Sequence, residues 1–250
     1  MLRAQVCDTH IFMSKTVLIT GAATRIGHTL AKGLSADGWG VVIHYNRSGD
    51  AASELAAELG NAAIVQADLT DINAVETLIY RASQTIGAPL CTLINNASTY
   101  APDNAKDFSN ETFDNHMDVN LKAPLRLAHH FSRQIADDRN GCIINMIDQR
   151  VLRPTPEFFS YGISKSALFA ATRTMAQSFA PNIRVNAVGP GPTLQSIHQS
   201  DAEFAHEVAD TLLGSGSPPD TILDAVRYLL SATSVTGQMI AVDGGQHLRF

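Results

Sequence analysis

Tyr161 and Lys165 are the two residues whose types and spacing point most directly to chemistry. They are four positions apart, so on a helix both side chains project from one face. A nearby ammonium group favours a phenolate, and we therefore expect Lys165 to lower the pKa of Tyr161. A phenol tuned in this way can transfer a proton at neutral pH. The spacing alone also fits an ordinary surface pair. Other motifs therefore have to decide between a catalytic pair and a surface pair.

A glycine-bearing turn, TGAATRIG at residues 20–27, follows the apolar residues 17–19 and opens a helical pattern. Gly21 permits a tight bend, and Gly27 allows the helix to pack closely against the strand. The free N–H groups and the positive dipole end of the helix then face a pyrophosphate. Arg25 stands where a third glycine often sits. Taken alone, such a turn fits any strand-to-helix loop.

The ends of the next two strands carry residues suited to binding the adenosine part of a dinucleotide. The second strand ends in HYNRS at residues 44–48, where an acidic residue would favour NAD and a basic one accommodates the 2′-phosphate of NADP. Arg47 is basic, so the sequence predicts NADP. Asp68 follows the third strand and is placed to bond the adenine amino group.

Short β-branched runs alternate with segments of helical period, which predicts an α/β fold with a parallel sheet covered on both faces. We expect a single-domain, Rossmann-type, doubly wound sheet of about seven strands. The strands are predicted near residues 16–20, 40–45, 62–67, 90–95, 141–147, 182–188 and 238–242. One helix with a buried face is predicted from the spacing of Ile72, Val75, Leu78, Ile79, Ala82 and Ile86. The least regular region, 189–220, suits a flexible lid over a pocket.

Composition limits the classes of function. The 250 residues are 45% hydrophobic and 17% charged, which suits one domain with an ample core, predicted over residues 14–250 after a disordered extension at 1–13. A net charge of −6 without basic runs argues against a nucleic-acid or anionic-membrane partner. No HExxH spacing occurs, so no metal site is expected. Widely spaced Cys7, Cys91 and Cys142 indicate buried thiols in a reducing cytoplasm.

From residue 16 to residue 250 the chain resembles the short-chain dehydrogenase/reductase family. The motifs occur in the family's order: residues 20–27, Asp68, the Asn-Asn-Ala of residues 95–97, Asn120, Tyr161 with Lys165, Pro190 with Gly191, and residues 242–245. The resemblance implies that Tyr161 is the proton donor and that Lys165 binds the nicotinamide ribose and tunes the tyrosine. It also implies that Asn120 supports a proton-relay water.

Three departures from the family's common pattern narrow the resemblance. Arg25 replaces a glycine of the turn, Ser98 replaces the glycine after Asn-Asn-Ala, and Asp148 takes the place of the catalytic serine, thirteen residues before the tyrosine. Together they look like the pteridine reductase branch, which includes bacterial dihydromonapterin reductases. Residues 44–48 and 243–249 strengthen that match.

The branch implies NADPH-dependent reduction of a 7,8-dihydropterin to its tetrahydro form, with biopterin and dihydrofolate as further substrates. Reducing a C=N bond needs a hydride at carbon and a proton at nitrogen, so the acidic Asp148 suits this reaction better than a serine hydroxyl. By resemblance, Tyr100 stacks the pterin against the nicotinamide, while Ser98 and Arg25 bond its polar edge or the cofactor phosphates. Arg249 is expected near a neighbouring subunit's active site in a homotetramer.

The predicted site falls into three sets of residues. The catalytic set is Asp148, Tyr161, Lys165 and Asn120. The cofactor-binding set is Gly21, Thr24, Arg25, Ile26, Gly27, His44, Tyr45, Asn46, Arg47, Ser48, Asp68, Leu69, Asn96, Ala97, Ser98, Lys165, Pro190 and Gly191. The substrate-binding set is Arg25, Ser98, Tyr100, Asp148, Tyr161 and Arg249.

Two alternatives remain open at this point because fold alone does not fix a substrate. The first is an NADPH-dependent reductase of 3-oxoacyl, sugar or other carbonyl groups. The second is a non-catalytic NADPH-sensing protein, against which the retained Tyr161 and Lys165 count. A hydrolase is disfavoured because GISKS at residues 162–166 lacks the closing glycine of a nucleophile elbow.

Overall fold

One seven-stranded parallel sheet organises the chain, in the strand order β3-β2-β1-β4-β5-β6-β7. The computed structural model describes residues 15–135 and 140–249, so the extension predicted at residues 1–13 lies outside the described residues. The strands are β1 (Thr16–Ile19), β2 (Gly40–Tyr45), β3 (Ala62–Gln66), β4 (Thr92–Asn95), β5 (Gly141–Met146), β6 (Ile183–Pro190) and β7 (Met239–Val242). The predicted fold class is confirmed, and the strand ends fall within two residues of the predicted ones.

Eight α-helices in the described part of the chain connect the strands and cover the sheet. They are α1 (Arg25–Ala36), α2 (Gly49–Leu59), α3 (Ile72–Ile86), α4 (Asn110–Met117), α5 (Ala123–Gln134), α6 (Phe159–Phe179), α7 (Asp201–Ala209) and α8 (Pro219–Ser231). A π-helical turn, Asp118–Lys122, joins α4 to α5. Within the described ranges, no helix combines the length and apolarity needed to cross a membrane.

The core lies in two layers, one on each face of the sheet. Helices α3, α5 and α6 pack on one face, and α1, α2 and α8 pack on the other. This arrangement explains the continuous apolar runs of the strands, because each strand is buried on both sides. The predicted face of α3 is buried at Val75, Leu78, Ile79 and Ala82, but Ile72 is exposed because it lies in the helix's first turn, beyond the edge of the core.

The strand order reverses between β1 and β4, whose neighbours then run outward in opposite directions. In doubly wound sheets, the crevice at such a reversal, beyond the carboxyl ends of the strands, is where ligands bind. Here β1 ends level with β4, since Ile19 pairs with Ile94 in the register of the two strands. The glycine turn and the Asn-Asn-Ala segment therefore meet at this crevice.

A buried polar ladder ties the middle of the sheet to α6. Asn95 Nδ2 donates to Asn145 Oδ1 at 2.8 Å, and Asn145 Nδ2 donates to Thr172 Oγ1 at 2.9 Å. Buried amides are costly unless they are paired, so these bonds fix the relative positions of β4, β5 and α6. The ladder thereby sets where α6 presents Tyr161 to the crevice.

The region 189–220 is more ordered than the sequence analysis predicted. Strand β6 extends to Pro190, and α7 occupies residues 201–209. Ser200 and Glu203 form a capping box at the start of α7, with each side chain bonded to the other residue's backbone N–H. Ser-x-x-Glu is a recognised helix-start signal, so this helix could have been predicted from the sequence.

Two helical glycines should respond oppositely to substitution by alanine. Alanine is favoured over glycine in a helix by about 1 kcal/mol. No heavy atom outside its helix lies within 4 Å of a Cβ added at Gly162, so Gly162→Ala should stabilise the protein by up to about 1 kcal/mol. A Cβ at Gly27 would lie 2.3 Å from Gly21 O, and the forced shift should cost about 1–3 kcal/mol, more than the helix gain.

Urea denaturation of both variants beside the parent protein measures these changes in the free energy of unfolding. Gly162→Ala serves as the matched control, because it makes the same chemical change at an uncrowded helical position. A Gly27→Ala variant as stable as the parent would contradict the tight packing of the turn against α1.

Candidate active site

A cleft of about 720 Å³ opens at the crevice between β1 and β4. Its walls are the glycine turn, the loop after β4, the end of β5, the start of α6 and the segment after β6. The predicted residues that line it are Gly21, Thr24, Arg25, Ile26, Gly27, Asn96, Ala97, Ser98, Tyr100, Asp148, Tyr161, Lys165, Pro190 and Gly191. The structure thus brings most of the predicted site together in one cavity.

The glycine turn is shaped to hold a dinucleotide. Gly21 has a φ of 62°, in the left-handed region that glycine adopts without strain. A Cβ at Gly27 would collide with Gly21 O, so only glycine lets the turn fold this close to the start of α1. The first turn of α1 leaves its N–H groups facing the cleft, which is the arrangement that binds pyrophosphate. These residues fit the predicted nicotinamide dinucleotide.

Arg25 adopts a φ of 54°, which is uncommon outside glycine and accounts for the glycine often found at this point of the turn. Its guanidinium donates to Leu194 O and Gln195 O, each at 3.1 Å. Arg25 therefore connects the phosphate-binding turn to the segment after β6 that closes the cleft.

His44 lies beneath the glycine turn and is 2% exposed. Gly21 N donates to His44 Nδ1 at 3.1 Å, so Nε2 carries the ring proton and donates to Ala67 O at 3.2 Å. Burial lowers the pKa of His44 to about 4, which keeps the ring neutral. The His44 ring is placed to support the turn, because both of its nitrogens already bond the backbone.

The remaining predicted cofactor contacts lie at the ends of β2 and β3, beside the turn. Asp68 Oδ1 accepts from Thr70 N at 2.9 Å and from Thr70 Oγ1 at 2.8 Å, and these bonds lower the pKa of the Asp68 carboxyl. The charge of nearby Arg47 lowers it further, although more weakly. Leu69 is buried in the core, so a ligand reaches only its backbone. The other members of this group are Tyr45, Asn46 and Ser48.

Tyr161 and Asp148 form a hydrogen-bonded pair inside the cleft. Tyr161 Oη donates to Asp148 Oδ2 at 2.8 Å. Lys165 Nζ lies 5.7 Å from the centre of the Tyr161 ring and donates to Met146 O at 2.8 Å. The Tyr161 phenol is therefore in contact with the carboxyl group of Asp148 and not with the ammonium group of Lys165.

The prediction that Lys165 lowers the pKa of Tyr161 is wrong for this structure. Burial, together with the adjacent Asp148 carboxylate, raises the pKa of Tyr161 well above its usual value. Burial also lowers the pKa of Lys165 to about 8. Lys165 thus remains mostly charged at neutral pH, and Tyr161 retains its proton.

Burial raises the pKa of Asp148, and the neighbouring Arg150 guanidinium opposes that rise. A carboxyl group with a raised pKa holds its proton more readily at neutral pH than an exposed aspartate. Asp148 and Tyr161 are consequently two hydrogen-bonded titratable groups at the same point of the cleft, and both have raised pKa values.

Asn120 lies in the π-helical turn and is 1% exposed. Its Oδ1 accepts from Thr99 N at 2.8 Å and Ser98 Oγ at 3.1 Å, while its Nδ2 donates to Thr99 O and Ser164 Oγ. The Asn120 side chain therefore holds the loop after β4 against α6. Any proton-relay water at this position would depend on its backbone rather than its side chain.

An aromatic group that the sequence analysis missed surrounds Tyr100. Phe158 stacks on Tyr100 with ring centres 4.1 Å apart, and Tyr161 meets Tyr100 edge-on at 4.9 Å. Arg150 Nη1 donates to Tyr100 Oη at 2.8 Å. Phe158 has a φ of 57°, a strained conformation that no local sequence signal predicts. One face of Tyr100 is thus already covered by protein.

A second network anchors the start of α6, where Tyr161 lies. Ser160 Oγ donates to Asp103, and His116 Nδ1 donates to Ser160 Oγ at 2.6 Å. His116 Nε2 accepts from Ala101 N at 3.1 Å. Burial lowers the pKa of His116, which agrees with a neutral ring in this role. These bonds tie the Tyr100 loop to α6.

Arg249 lies outside the cleft of its own chain. Its guanidinium pairs with the carboxylate of Asp210, and both side chains are substantially exposed. The expected contact of Arg249 with a neighbouring subunit stays a prediction.

Comparison with known proteins agrees with this geometry. A family model described as enoyl-(acyl carrier protein) reductase matches residues 21–247. The crystal structure of FolM alternative dihydrofolate reductase 1 from Brucella canis, complexed with NADP, is 42% identical with a TM-score of 0.92, covering 95% of this chain and 96% of that one. Pteridine reductase 1 of Leishmania tarentolae is 33% identical, covering 92% of this chain and 96% of the relative.

Dihydromonapterin reductase of Citrobacter koseri is 29% identical, and the match covers 93% of this chain and 97% of that protein. The expected likeness to the pteridine reductase branch is thereby confirmed at the level of relatives. With its motifs placed around one cleft and its relatives matched over nearly their whole length, the chain belongs to the short-chain dehydrogenase/reductase family of oxidoreductases.

Proposed function

We propose that this protein reduces a 7,8-dihydropterin to the tetrahydropterin with NADPH. The observation that carries the proposal is the Tyr161–Asp148 pair, in which a phenol and a carboxyl with raised pKa values meet inside the cleft. A C=N bond needs a proton at nitrogen when it is reduced, and this pair can supply one. The NADP-bound Brucella canis neighbour and the pteridine reductase relative support the same conclusion.

The cofactor is proposed to lie along the turn, with Gly21 and Gly27 next to its pyrophosphate. Arg47 and Ser48 would hold the 2′-phosphate, and Asp68 the adenine. Lys165 is the group proposed for the nicotinamide ribose, since its ammonium lies on the cleft wall beside Tyr161. When bound, NADPH supplies the hydride for the reduction.

The proton path proposed for the reaction runs through two oxygens of the protein. In the reacting state the hydrogen bond between the two groups would be reversed, with a protonated Asp148 donating to Tyr161 Oη. Tyr161 Oη then passes its own proton to the ring nitrogen, and the Asp148 proton replaces it across the 2.8 Å contact. Asp148 then regains a proton from solvent. Because burial holds the pKa of Asp148 above its usual value, the carboxyl can be loaded for this transfer near neutral pH.

The ring of the substrate is proposed to lie between Tyr100 and the nicotinamide site. Phe158 covers one face of Tyr100, so the pterin would use the opposite face or its edge. Ser98 and Arg25 line the same cleft and offer a hydroxyl and a cation to the polar edge of the ring.

The test of this proposal compares kcat/KM with NADPH for dihydrobiopterin, dihydromonapterin, dihydrofolate and an acetoacetyl thioester. A dihydropterin should be reduced faster than the thioester, and Tyr100→Ala should impair that reduction. Faster turnover of the thioester would support a carbonyl reductase instead. Binding of NADPH without turnover of any substrate would support a sensor.

In the same assay, Tyr161→Phe should lower pterin turnover at least about a hundredfold while leaving NADPH affinity intact, the scale expected for lost general acid catalysis. Asp148→Ser should also impair turnover. Wild-type kcat should fall as pH rises through the raised pKa of Asp148, because the carboxyl then loses its proton. Asp148→Ser should lose that limb of the profile, and unchanged turnover in both variants would assign the proton elsewhere.

Arg47→Ala should weaken NADPH binding about tenfold or more and leave NADH binding nearly unchanged, because a charge-assisted bond to the 2′-phosphate is lost. Calorimetric titration with each cofactor measures the two affinities. Arg173→Ala, which removes an exposed arginine from α6 outside the cleft lining, is the matched control. Equal losses for both cofactors would contradict the assignment of Arg47.

The protein is further proposed to act as a homotetramer in the cytoplasm. Cys91 and Cys142 are free thiols in the described residues, which suits a reducing compartment. In the tetramer, the exposed Arg249 would release Asp210 and contact the active site of a neighbouring subunit. Sedimentation as a monomer, together with unaltered kinetics after deletion of residues 247–250, would contradict this arrangement.

A further inference from the structure

Arg150 places a positive charge on the cleft wall without a carboxylate partner. The residue is partly buried and lines the cleft. Among the residues that the structure describes, no carboxylate forms an ion pair with its guanidinium. Withdrawing a cation from water is costly unless other groups compensate for the lost hydration. The groups that Arg150 contacts therefore indicate what the charge does there.

The guanidinium of Arg150 bonds the Tyr100 phenol and lies against the aromatic stack. Arg150 Nη1 donates to Tyr100 Oη at 2.8 Å. The guanidinium carbon lies 5.6 Å from the centre of the Tyr100 ring and 5.0 Å from the centre of the Phe158 ring that stacks on it. A cation this close to an aromatic ring is attracted to it, and a hydrogen bond with a charged donor is about twice as strong as a neutral one. These contacts restrict the rotation of the Tyr100 side chain.

The same residue is joined to the proton-delivering pair. Arg150 N donates to Asp148 Oδ1 at 2.8 Å, while Tyr161 Oη donates to the other oxygen, Asp148 Oδ2. The Tyr161 ring in turn meets the Tyr100 ring edge-on at 4.9 Å. Arg150 thus contacts Asp148 through its backbone and Tyr100 through its side chain, so it links the two parts of the cleft that the reaction uses.

We infer that Arg150 is a positioning residue, which holds the Tyr100 ring at a fixed distance and angle from the Tyr161–Asp148 pair; this inference rests on the proposed pterin reduction. A substrate ring that lies against Tyr100 is placed relative to Tyr161 Oη only as closely as Tyr100 itself is held. Proton and hydride transfer both need reacting atoms at near-contact distances, so a Tyr100 ring that is free to rotate weakens productive binding. A phenylalanine at position 100 would keep the stack with Phe158 but would lack the bond to Arg150.

The guanidinium charge also acts on the Asp148 carboxyl. The titratable and charged groups that face this carboxyl are Arg150 on its own turn, Tyr161 and Lys165 from α6, and Tyr100 from the loop after β4. Burial raises the pKa of Asp148, and the charge of Arg150 opposes that rise more strongly than the charge of Lys165 does. Removing the guanidinium therefore raises the pKa of Asp148 further, and the fall of kcat at high pH should begin at a higher pH.

The experiment measures the kinetics of the full-length protein with NADPH and 7,8-dihydrobiopterin for Arg150→Met, Tyr100→Phe and the double variant. Tyr100→Phe keeps the aromatic ring and removes only the oxygen that Arg150 bonds. Each single variant should raise the KM for the dihydropterin about fivefold, as expected for one lost hydrogen bond, with the KM for NADPH unchanged. The double variant should raise the dihydropterin KM no further, because both substitutions remove the same bond.

The pH profile of kcat separates the charge of Arg150 from its hydrogen bond. The fall of kcat at high pH should move to higher pH in Arg150→Met and stay in place in Tyr100→Phe. Arg150→Lys keeps the positive charge, so it should return the fall of kcat towards the parent's position. Arg173→Met, which changes an exposed arginine of α6 outside the cleft lining, is the matched control and should keep the parent's KM and profile.

Three results would overturn the role of Arg150 while leaving the proposed function intact. They are a parent-like dihydropterin KM in either single variant, multiplied effects in the double variant, and an unmoved pH profile in Arg150→Met. A parent protein that reduces no dihydropterin would overturn the proposed function and this inference together.

Discussion

The junction between Thr20 and Asn96 holds the two halves of the active site together. Thr20 Oγ1 accepts from Asn96 N at 2.9 Å and from Ala97 N at 3.0 Å, and Asn96 Nδ2 donates to Thr20 O and Gly21 O. Both segments leave the sheet where its strand order reverses, and the Thr20 and Asn96 side chains bond backbone groups of the opposite segment there. These bonds set the distance between the phosphate-binding turn and the loop that carries Tyr100.

Burial sets the pKa values of the titratable groups around this junction. It keeps His44 neutral beneath the turn, retains the proton of Tyr161 and raises the pKa of Asp148. The low local dielectric penalises each charge, and the hydrogen bond from Tyr161 to Asp148 links two groups whose pKa values are both raised. An exposed tyrosine and aspartate at the same spacing would have ordinary pKa values. The aspartate would then be ionised near neutral pH and would have no proton to exchange with the tyrosine. The raised pKa values of Tyr161 and Asp148 are therefore a property of the cleft and not of the two residue types alone.

Local sequence patterns were enough to predict the architecture and most residues of the cleft. The spacing of apolar residues, every second position in a strand and about every 3.6 positions in a helix, is a local property that can be read from the sequence. Continuous β-branched runs indicate strands that are buried on both faces, and such strands predict a parallel sheet. Because parallel strands end at one edge, motifs that follow β1, β4 and β5 had to meet at a crevice, and they do. The same local reasoning could have found α7 from Ser200 and Glu203.

The tertiary structure alone decided how those residues are set for chemistry. Helical spacing favoured Lys165 as the partner of Tyr161, and the family resemblance had already assigned Asp148 to proton delivery with Tyr161. Only the structure shows that Asp148, and not Lys165, bonds the phenol and that the pKa of Tyr161 is raised. The strained backbone of Phe158 and the hydrogen bond from Arg150 to Tyr100 also have no local signature. Desolvation, strain and pairing each depend on atoms brought in from distant parts of the chain, and residue type and local spacing do not specify those neighbours.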